Sequence, residues 1–149
     1  MNRMNNKIRV LFTKILLHLV MNNPLCTSKV RRIVLIICGT KIGKHTFIGQ
    51  NVYFDSLAIQ NITVGEHSYI TQNVSILTHF YGTDRHFYFG NVTIGNNTFI
   101  GMNTLISKPV NIGNNCIVVA GAVITKDIPD NVLAGGIPCK IIKEINPIN

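Results

Sequence analysis

The sequence predicts an all-β fold, a parallel β-helix of hexapeptide repeats preceded by a short helical cap. The main observation is a period of six residues from Ile94 to Ile128, in which every hexad begins with Ile or Val. The second position is usually Gly, and the fifth is small or β-branched. A fixed period of six matches neither an α-helix nor an alternating strand, and it is typical of a parallel β-helix.

The repeat also predicts which side chains stack in the interior. Three hexads close one coil, so residues eighteen apart should lie about 4.8 Å from each other, the spacing of paired strands. The expected pairs are Ile94 with Ile112, Ile100 with Val118, and Ile106 with Ile124. Fifth positions should also point inward: Thr98, Thr104, Val110, Cys116 and Ala122. Fourth positions should form corners with positive φ, which Asn and Gly tolerate best: Asn97, Asn103, Asn115 and Gly121.

Length and charge limit the organisation and the partners. A chain of 149 residues is expected to form one domain. The formal net charge is +8, and nine of the fourteen Lys and Arg residues precede the first acidic residue, Asp55. Such a basic segment indicates that the protein contacts an anionic partner surface, either a membrane or a nucleic acid. We expect no nucleic-acid partner, because no nucleic-acid-binding motif accompanies the charge.

Residues 1–40 are predicted to be helical. Residues 7–20 carry an apolar stripe at helical spacing: Ile8, Leu11, Phe12, Ile15, Leu16 and Leu19. This helix is too short and too charged to span a bilayer, so it either packs on the protein or a neighbouring subunit, or lies on a membrane surface. A second helix is expected over residues 29–38, capped by Thr27 or Ser28 and stopped by Gly39. Its expected stripe is Val30, Ile33, Val34 and Ile37.

Residues 41–128 are predicted to form the coils, with two interruptions. About four residues are inserted between Phe54 and Val64, and residues 80–91 are expected to leave the coil as a loop. Residues 129–149 are predicted to form a tail that caps the open end of the coil. Within it, residues 141–145 are expected to form a short helix or strand. The four cysteines show no metal-binding spacing, so we expect reduced thiols, no metal, and a cytoplasmic protein.

Two later segments resemble a known family. The hexads, the run VITKDIP at residues 123–129 and the run AGGIPCKII at residues 134–142 are similar to hexapeptide-repeat acetyltransferases. The resemblance is to the subgroup that O-acetylates sugars, such as galactoside, maltose and capsular polysaccharide or lipopolysaccharide O-acetyltransferases. This chain departs from the family pattern at two points. It has one extra residue before Pro138, and it has Phe99 where members often have Trp. The resemblance implies a left-handed β-helix, acetyl-CoA as co-substrate and a homotrimer.

The resemblance also implies a catalytic residue. His79 stands just before the expected loop, where the family places its general base. Imidazole suits this role because it ordinarily titrates near neutrality, and it can take a hydroxyl proton and return it to a thiolate. His45 and His67 share its fourth hexad position and are interpreted as corner residues. The oxyanion donor is expected to be a backbone N–H, although the sequence does not identify which.

Other site residues follow from the same resemblance. Asp55 matches an acceptor-binding Asn or Asp of sugar-acetylating members, and Tyr53, Tyr81 and His86 are candidate acceptor contacts. Asp84 is expected to contact the acceptor or to orient His79. The residues expected to contact acetyl-CoA are Phe99, Gly101, Met102, Ala120, Gly121, Thr125, Lys126 and Lys140.

The function predicted is acetyl-CoA-dependent O-acetylation of a sugar hydroxyl by direct transfer. The basic helical start favours a surface polysaccharide or its membrane-near precursor as acceptor. Serine or antibiotic acetylation is an alternative. A metal-dependent hydratase resembling γ-type carbonic anhydrase is another, and it would need three converging histidines. A non-catalytic scaffold is a third.

Overall fold

The computed structural model describes residues 2–146, with side chains described for residue 8 and from residue 10 onward. Helices α1 (Asn2–Met21) and α2 (Ser28–Ile37) come first. The strands are β1 (Lys41–Ile42), β2 (Phe47–Ile48), β3 (Tyr53–Phe54), β4 (Ile62–Val64), β5 (Tyr69–Ile70), β6 (Ser75–Ile76), β7 (His79–Tyr81), β8 (Phe87–Phe89), β9 (Val92–Ile94), β10 (Phe99–Ile100), β11 (Leu105–Ile106), β12 (Asn111–Ile112), β13 (Ile117–Val118), β14 (Val123–Ile124), β15 (Val132–Gly135) and β16 (Lys140–Glu144).

The short parallel strands form three faces of a prism. Face A has the order β1-β4-β9-β12, face B the order β16-β15-β13-β10-β5-β2, and face C the order β14-β11-β6-β3. The chain visits the faces in the order A, B, C in each coil. Corners therefore fall between A and B, between B and C, and between C and A.

The predicted stacking of the coils is confirmed. Ile94 pairs with Ile112, Ile100 with Val118, and Ile106 with Ile124. All fifth-position side chains are buried. The predicted fourth-position corners have φ between 52° and 74°. A column of isoleucine and valine thus forms the core, and burial of each such side chain contributes roughly 1.5–3 kcal/mol.

The helices form where predicted, but the sides that they bury against the chain are not the predicted apolar stripes. Helix α1 turns Thr13, Leu17 and Met21 inward, whereas five members of the expected stripe stay exposed: Ile8, Leu11, Phe12, Ile15 and Leu19. Helix α2 buries Arg31 and Leu35 instead of Val30, Ile33 and Ile37. Both helices are apolar on more than one side. The exposed α1 stripe does not pack on its own chain, which leaves the neighbouring subunit and the membrane surface as its expected contacts.

The ends of α2 follow the predicted capping. The Thr27 hydroxyl accepts from the Val30 N–H at 3.4 Å, and Gly39 has φ +108° directly after the helix. The left-handed Gly39 lets the Thr40 N–H donate to the Leu35 carbonyl at 3.0 Å, which ends the helix. Helix α2 thereby sits against β1 and β2 at the open end of the first coil.

The two interruptions have regular structure of their own. A single 3₁₀ turn, Ile59–Asn61, occupies the first. The segment expected to be a loop is a β-hairpin instead, in which His79 pairs with Phe89 and Tyr81 with Phe87. A Cβ on Gly82 would lie 2.5 Å from Asp84 Oδ1 and 2.7 Å from the Tyr88 ring, so a larger residue there would displace these two side chains of the hairpin.

The tail is strand-like within the described residues. Strand β15 adds in parallel to β13 on face B, and β16 folds back antiparallel on β15. This hairpin lies over the last coil of face B. Residues 147–149 of the predicted tail lie outside the described part of the chain.

Candidate active site

An Asp–His pair lies at the corner between faces C and A. Asp55 directly follows β3 on face C, and Thr78 and His79 follow β6 one coil later. Because β3 and β6 pair in parallel register, residues just beyond them are brought side by side. Asp55 Oδ2 accepts from His79 Nδ1 at 2.5 Å, from the Thr78 hydroxyl at 2.7 Å and from the Thr78 N–H at 3.0 Å.

The Asp55 carboxylate is wholly buried and held in its ionised form. Its other oxygen accepts from the Leu57 N–H at 3.1 Å. Burial by itself raises the pKa of this carboxyl, but the hydrogen bonds from Thr78, Leu57 and His79 outweigh it and lower the pKa below the ordinary value. A buried carboxylate with its charge satisfied in this way can fix the imidazole beside it.

His79 occupies a different conformation from the one predicted. We expected a corner with positive φ, as at His45 and His67, but His79 begins strand β7 and is not among the positive-φ residues. Its side chain is 21% exposed and stacks on Phe87 with ring centroids 4.7 Å apart. Nδ1 is bonded to Asp55, so Nε2 is the nitrogen left to meet a substrate.

Asp55 does not face an acceptor as expected. Its relative exposure is 0%, and both oxygens accept from the protein. Asp84 does not orient His79 either, because it accepts from the Tyr88 hydroxyl and the His86 N–H in the hairpin turn. The orienting residue is therefore Asp55. Parallel strand register links it to His79, a signal visible in sequence only once the coils are aligned.

The remaining acceptor candidates divide into two groups. Tyr53 lines a cleft of about 240 Å³ between α1 and β3, next to the buried Ser56. Burial and the nearby Asp55 charge raise the pKa of Tyr53. Tyr81 and His86 are exposed on the hairpin, where Tyr81 packs edge-on against Phe87 at 5.0 Å. Neither Tyr81 nor His86 is hydrogen-bonded to His79.

The cofactor candidates lie on three parts of the coil. Met102 and Gly121 stack on the corner between B and C, where the Gly121 N–H donates to the Met102 carbonyl at 2.7 Å. Gly101 and Ala120 lie on the same corner, and Phe99 points out from face B. Thr125 and Lys126 follow β14 at the C–A corner, while Lys140 begins β16 beside face B. One chain thus places these residues on both sides of face C.

The histidines considered for a metal site are separated by their contacts. His67 stacks on His45 at 4.9 Å, and His79 is bonded to Asp55. Within residues 2–146, nowhere do three or more His, Cys, Asp or Glu side chains form a group able to hold a metal ion. The four cysteines are free thiols, and burial raises the pKa of Cys38, Cys116 and Cys139.

Comparison with known proteins supports the resemblance to hexapeptide-repeat acetyltransferases. Residues 91–126 match the bacterial transferase hexapeptide (six repeats) family. Galactoside O-acetyltransferase of Escherichia coli K12 is 37% identical over 114 residues, covering 70% of this chain and 56% of that protein. The chain belongs to the hexapeptide-repeat transferases. It spans little more than half the length of the curated relatives it matches.

Solved structures of this family match nearly the whole chain. A galactoside acetyltransferase in complex with coenzyme A is 27% identical, with a TM-score of 0.75, covering 95% of this chain and 82% of that one. A maltose O-acetyltransferase from Clostridium difficile 630 is also 27% identical, with a TM-score of 0.72, covering 97% and 90%. The predicted family and its left-handed hexapeptide-repeat β-helix are thereby confirmed for this hexapeptide-repeat transferase.

Proposed function

We propose that this hexapeptide-repeat transferase is an acetyl-CoA-dependent O-acetyltransferase acting on a sugar hydroxyl. The observation that carries the proposal is the buried Asp55 carboxylate bonded to Nδ1 of a partly exposed His79. The names of the relatives, which include galactoside and maltose O-acetyltransferases, support this reaction class. A coenzyme A complex among the structural relatives supports the co-substrate.

The proposed chemistry is direct transfer with His79 as general base. His79 Nε2 takes the acceptor hydroxyl proton while the oxygen attacks the thioester carbonyl. The tetrahedral intermediate then collapses, the C–S bond breaks, and the imidazolium returns its proton to the departing thiolate. No covalent enzyme intermediate is required, because positioning both substrates together supplies much of the rate. A backbone N–H of the coil is the proposed oxyanion donor.

Asp55 supports this cycle in two ways. By accepting from Nδ1–H it fixes the tautomer in which Nε2 carries the free lone pair. Its negative charge also stabilises the imidazolium that forms during attack. The network of Thr78 and Leu57 donors keeps that charge in place without competing for His79.

A homotrimer is proposed as the active assembly. The cofactor candidates Met102 and Gly121 lie across face C from His79 of the same chain, so a neighbouring chain is needed to bring both corners to one groove. The hairpin also exposes an apolar surface that a neighbour can cover: Phe80, Tyr81, Phe87, Tyr88 and Phe89. Light scattering should give three times the chain mass, and a monomer with full activity would refute the shared site.

A surface polysaccharide or its lipid-linked precursor is proposed as acceptor, at the cytoplasmic face of a membrane. No described helix is long and apolar enough to cross a bilayer. However, the outward stripe of α1, with Ile8, Phe12 and Leu19 each about 60% exposed, suits the interfacial region beside basic residues. Phe12→Asp should reduce co-sedimentation with anionic vesicles; unchanged sedimentation would remove the membrane contact.

Acetyl transfer by the purified full chain tests the function. Thiol release from acetyl-CoA and the mass of the product are measured with methyl galactoside and with polysaccharide-derived oligosaccharides. His79→Ala should lower the rate by roughly 10²- to 10⁴-fold, the usual contribution of a general base, with the chain still folded by circular dichroism. Full activity in His79→Ala would refute the assignment, and His67→Ala controls for loss of an imidazole.

A further inference from the structure

A second cavity opens at the junction of α2 with the first coils. Its volume is about 520 Å³. The lining residues are Ser28, Lys29, Arg32, Lys44, His45, Thr46, Phe47 and Tyr69. It lies at the A–B corner and on face B, away from the Asp55–His79 pair, and the proposed reaction assigns it no role.

The charge of this cavity is uniformly positive. Lys29, Arg32 and Lys44 line it, and no Asp or Glu does. Within the described residues, no carboxylate forms a salt bridge with these three side chains. Arg32 Nε donates to the Gly43 carbonyl at 2.8 Å, which holds the guanidinium at the cavity through a bond that does not engage its Nη groups. Such an arrangement favours a small anion with several acceptor oxygens.

An aromatic wall adjoins the cations. Phe47 and Tyr69 stack with ring centroids 6.0 Å apart, and the two side chains are 41% and 51% exposed. Tyr69 in turn lies 6.5 Å from Phe99 along face B. Exposed aromatic surface beside charged groups is typical of sites that bind a ligand with one apolar side and one polar end.

We propose that this cavity binds a phosphate-bearing sugar, with the phosphate against Lys29, Arg32 and Lys44 and the sugar ring on Tyr69 and Phe47. A phosphate matches three cations that line one cavity better than a single carboxylate does, because it carries more charge and three acceptor oxygens. The identification of this ligand as the acceptor rests on the proposed acetyl transfer. The binding site itself stands on the cavity, its charge and its rings.

The position of the cavity fits a shared site. It opens on face B, whereas His79 stands at the C–A corner of the same chain. The acceptor role therefore requires that His79 of a neighbouring chain reach the mouth of this cavity in the proposed trimer. The phosphate would remain under α2, and the helix before it, α1, carries the exposed apolar stripe.

Binding is measured by calorimetry on the full chain without acetyl-CoA. Glucose 1-phosphate should bind, inorganic phosphate should bind more weakly, and methyl glucoside should show no measurable binding. Lys29→Gln with Lys44→Gln should raise the Kd for glucose 1-phosphate by about tenfold or more, because two charge-assisted contacts are lost. Tyr69→Leu should weaken glucose 1-phosphate by roughly threefold and leave inorganic phosphate unchanged.

The matched control is Lys41→Gln with Lys143→Gln, which removes the same charge from exposed positions outside the cavity. An equal loss of affinity in this control, or unaltered binding in Lys29→Gln/Lys44→Gln, would overturn the site, as would no binding of any phosphate. Tighter binding of a prenyl diphosphate-linked glucose than of glucose 1-phosphate would assign a lipid-linked source. His79→Ala should retain this binding, so the failure of the reaction and of the site are distinguishable.

Discussion

His45, His67 and His79 occupy the same position of three hexads but have different surroundings. His45 and His67 sit at the A–B corner with φ of 56° and 54°, exposed and stacked on each other. His79 falls at the C–A corner, where the chain leaves the coil in an extended strand. There its ring meets the buried Asp55 on one side and Phe87 on the other.

The difference shows how an interrupted repeat acquires chemistry. At a regular corner the residue one coil away is another corner residue, so side chains of one kind stack in columns. Above His67 the column continues as an asparagine ladder, with Asn97 donating to Asn115 at 3.3 Å and Asn115 to Asn131 at 3.0 Å. At the C–A corner the 3₁₀ turn after Asp55 and the hairpin after Thr78 replace that column with a hydrogen-bonded Asp–His pair.

The largest expected effect is on catalysis, from Asp55→Asn. An asparagine amide directed at Nδ1 favours the tautomer with the proton on Nε2, which cannot accept a hydroxyl proton. We expect the rate of acetyl transfer to fall on the order of 10²- to 10⁴-fold, with the chain still folded. Initial rates with acetyl-CoA and saturating acceptor measure it.

Glu66→Gln is the matched control at a regular corner. It removes one carboxylate beside His67, and its side chain has no contact with the Asp55–His79 pair. Activity within twofold of the unaltered protein is expected. If Asp55→Asn also stayed within threefold, the two corners would be chemically equivalent and the assigned role of Asp55 would be lost.

A smaller effect is expected on acid stability. The folded pKa of Asp55 is lowered, so its contribution to the free energy of unfolding is complete above the unfolded pKa of about 3.9. That contribution is lost as pH falls through the folded pKa, because the unfolded chain then binds the proton more readily. Urea unfolding should show Asp55→Asn less stable than the unaltered protein at pH 7. The difference should shrink by pH 3, and a constant difference would contradict it.

The regular part of the molecule could be predicted closely from the sequence. Stacked pairs, inward fifth positions and left-handed corners all follow from one period, because each coil repeats the same local geometry. The general-base candidate came from resemblance, at the point where the period fails. The family and its left-handed coil were confirmed by comparison.

The incorrect parts are those that depend on long-range contacts. For helix α1 the sequence left open what its apolar stripe contacts, and contact with the first coils decides that Leu17 rather than Phe12 is buried within the chain. Asp55 was expected to face an acceptor, because the sequence does not reveal that Thr78 and His79 would surround it from the next coil. The hairpin pairing of residues 79–89 is similarly invisible in an irregular aromatic segment.

The smallest effect should come from converting a regular corner to its commonest residue, His67→Asn. Asparagine tolerates the left-handed conformation better than histidine, and at position 67 it would lie next to Asn97 in the existing ladder. It loses the stacking on His45, so a gain in the free energy of unfolding of at most about 1 kcal/mol is expected, with unchanged catalysis. The midpoint of urea unfolding at constant slope measures it.

His79→Asn should show the reverse, lost activity without any such gain, because residue 79 is not left-handed and its ring is hydrogen-bonded to Asp55. A loss of activity in His67→Asn equal to that in His79→Asn would mean that the corner position itself, and not the partner Asp55, determines function.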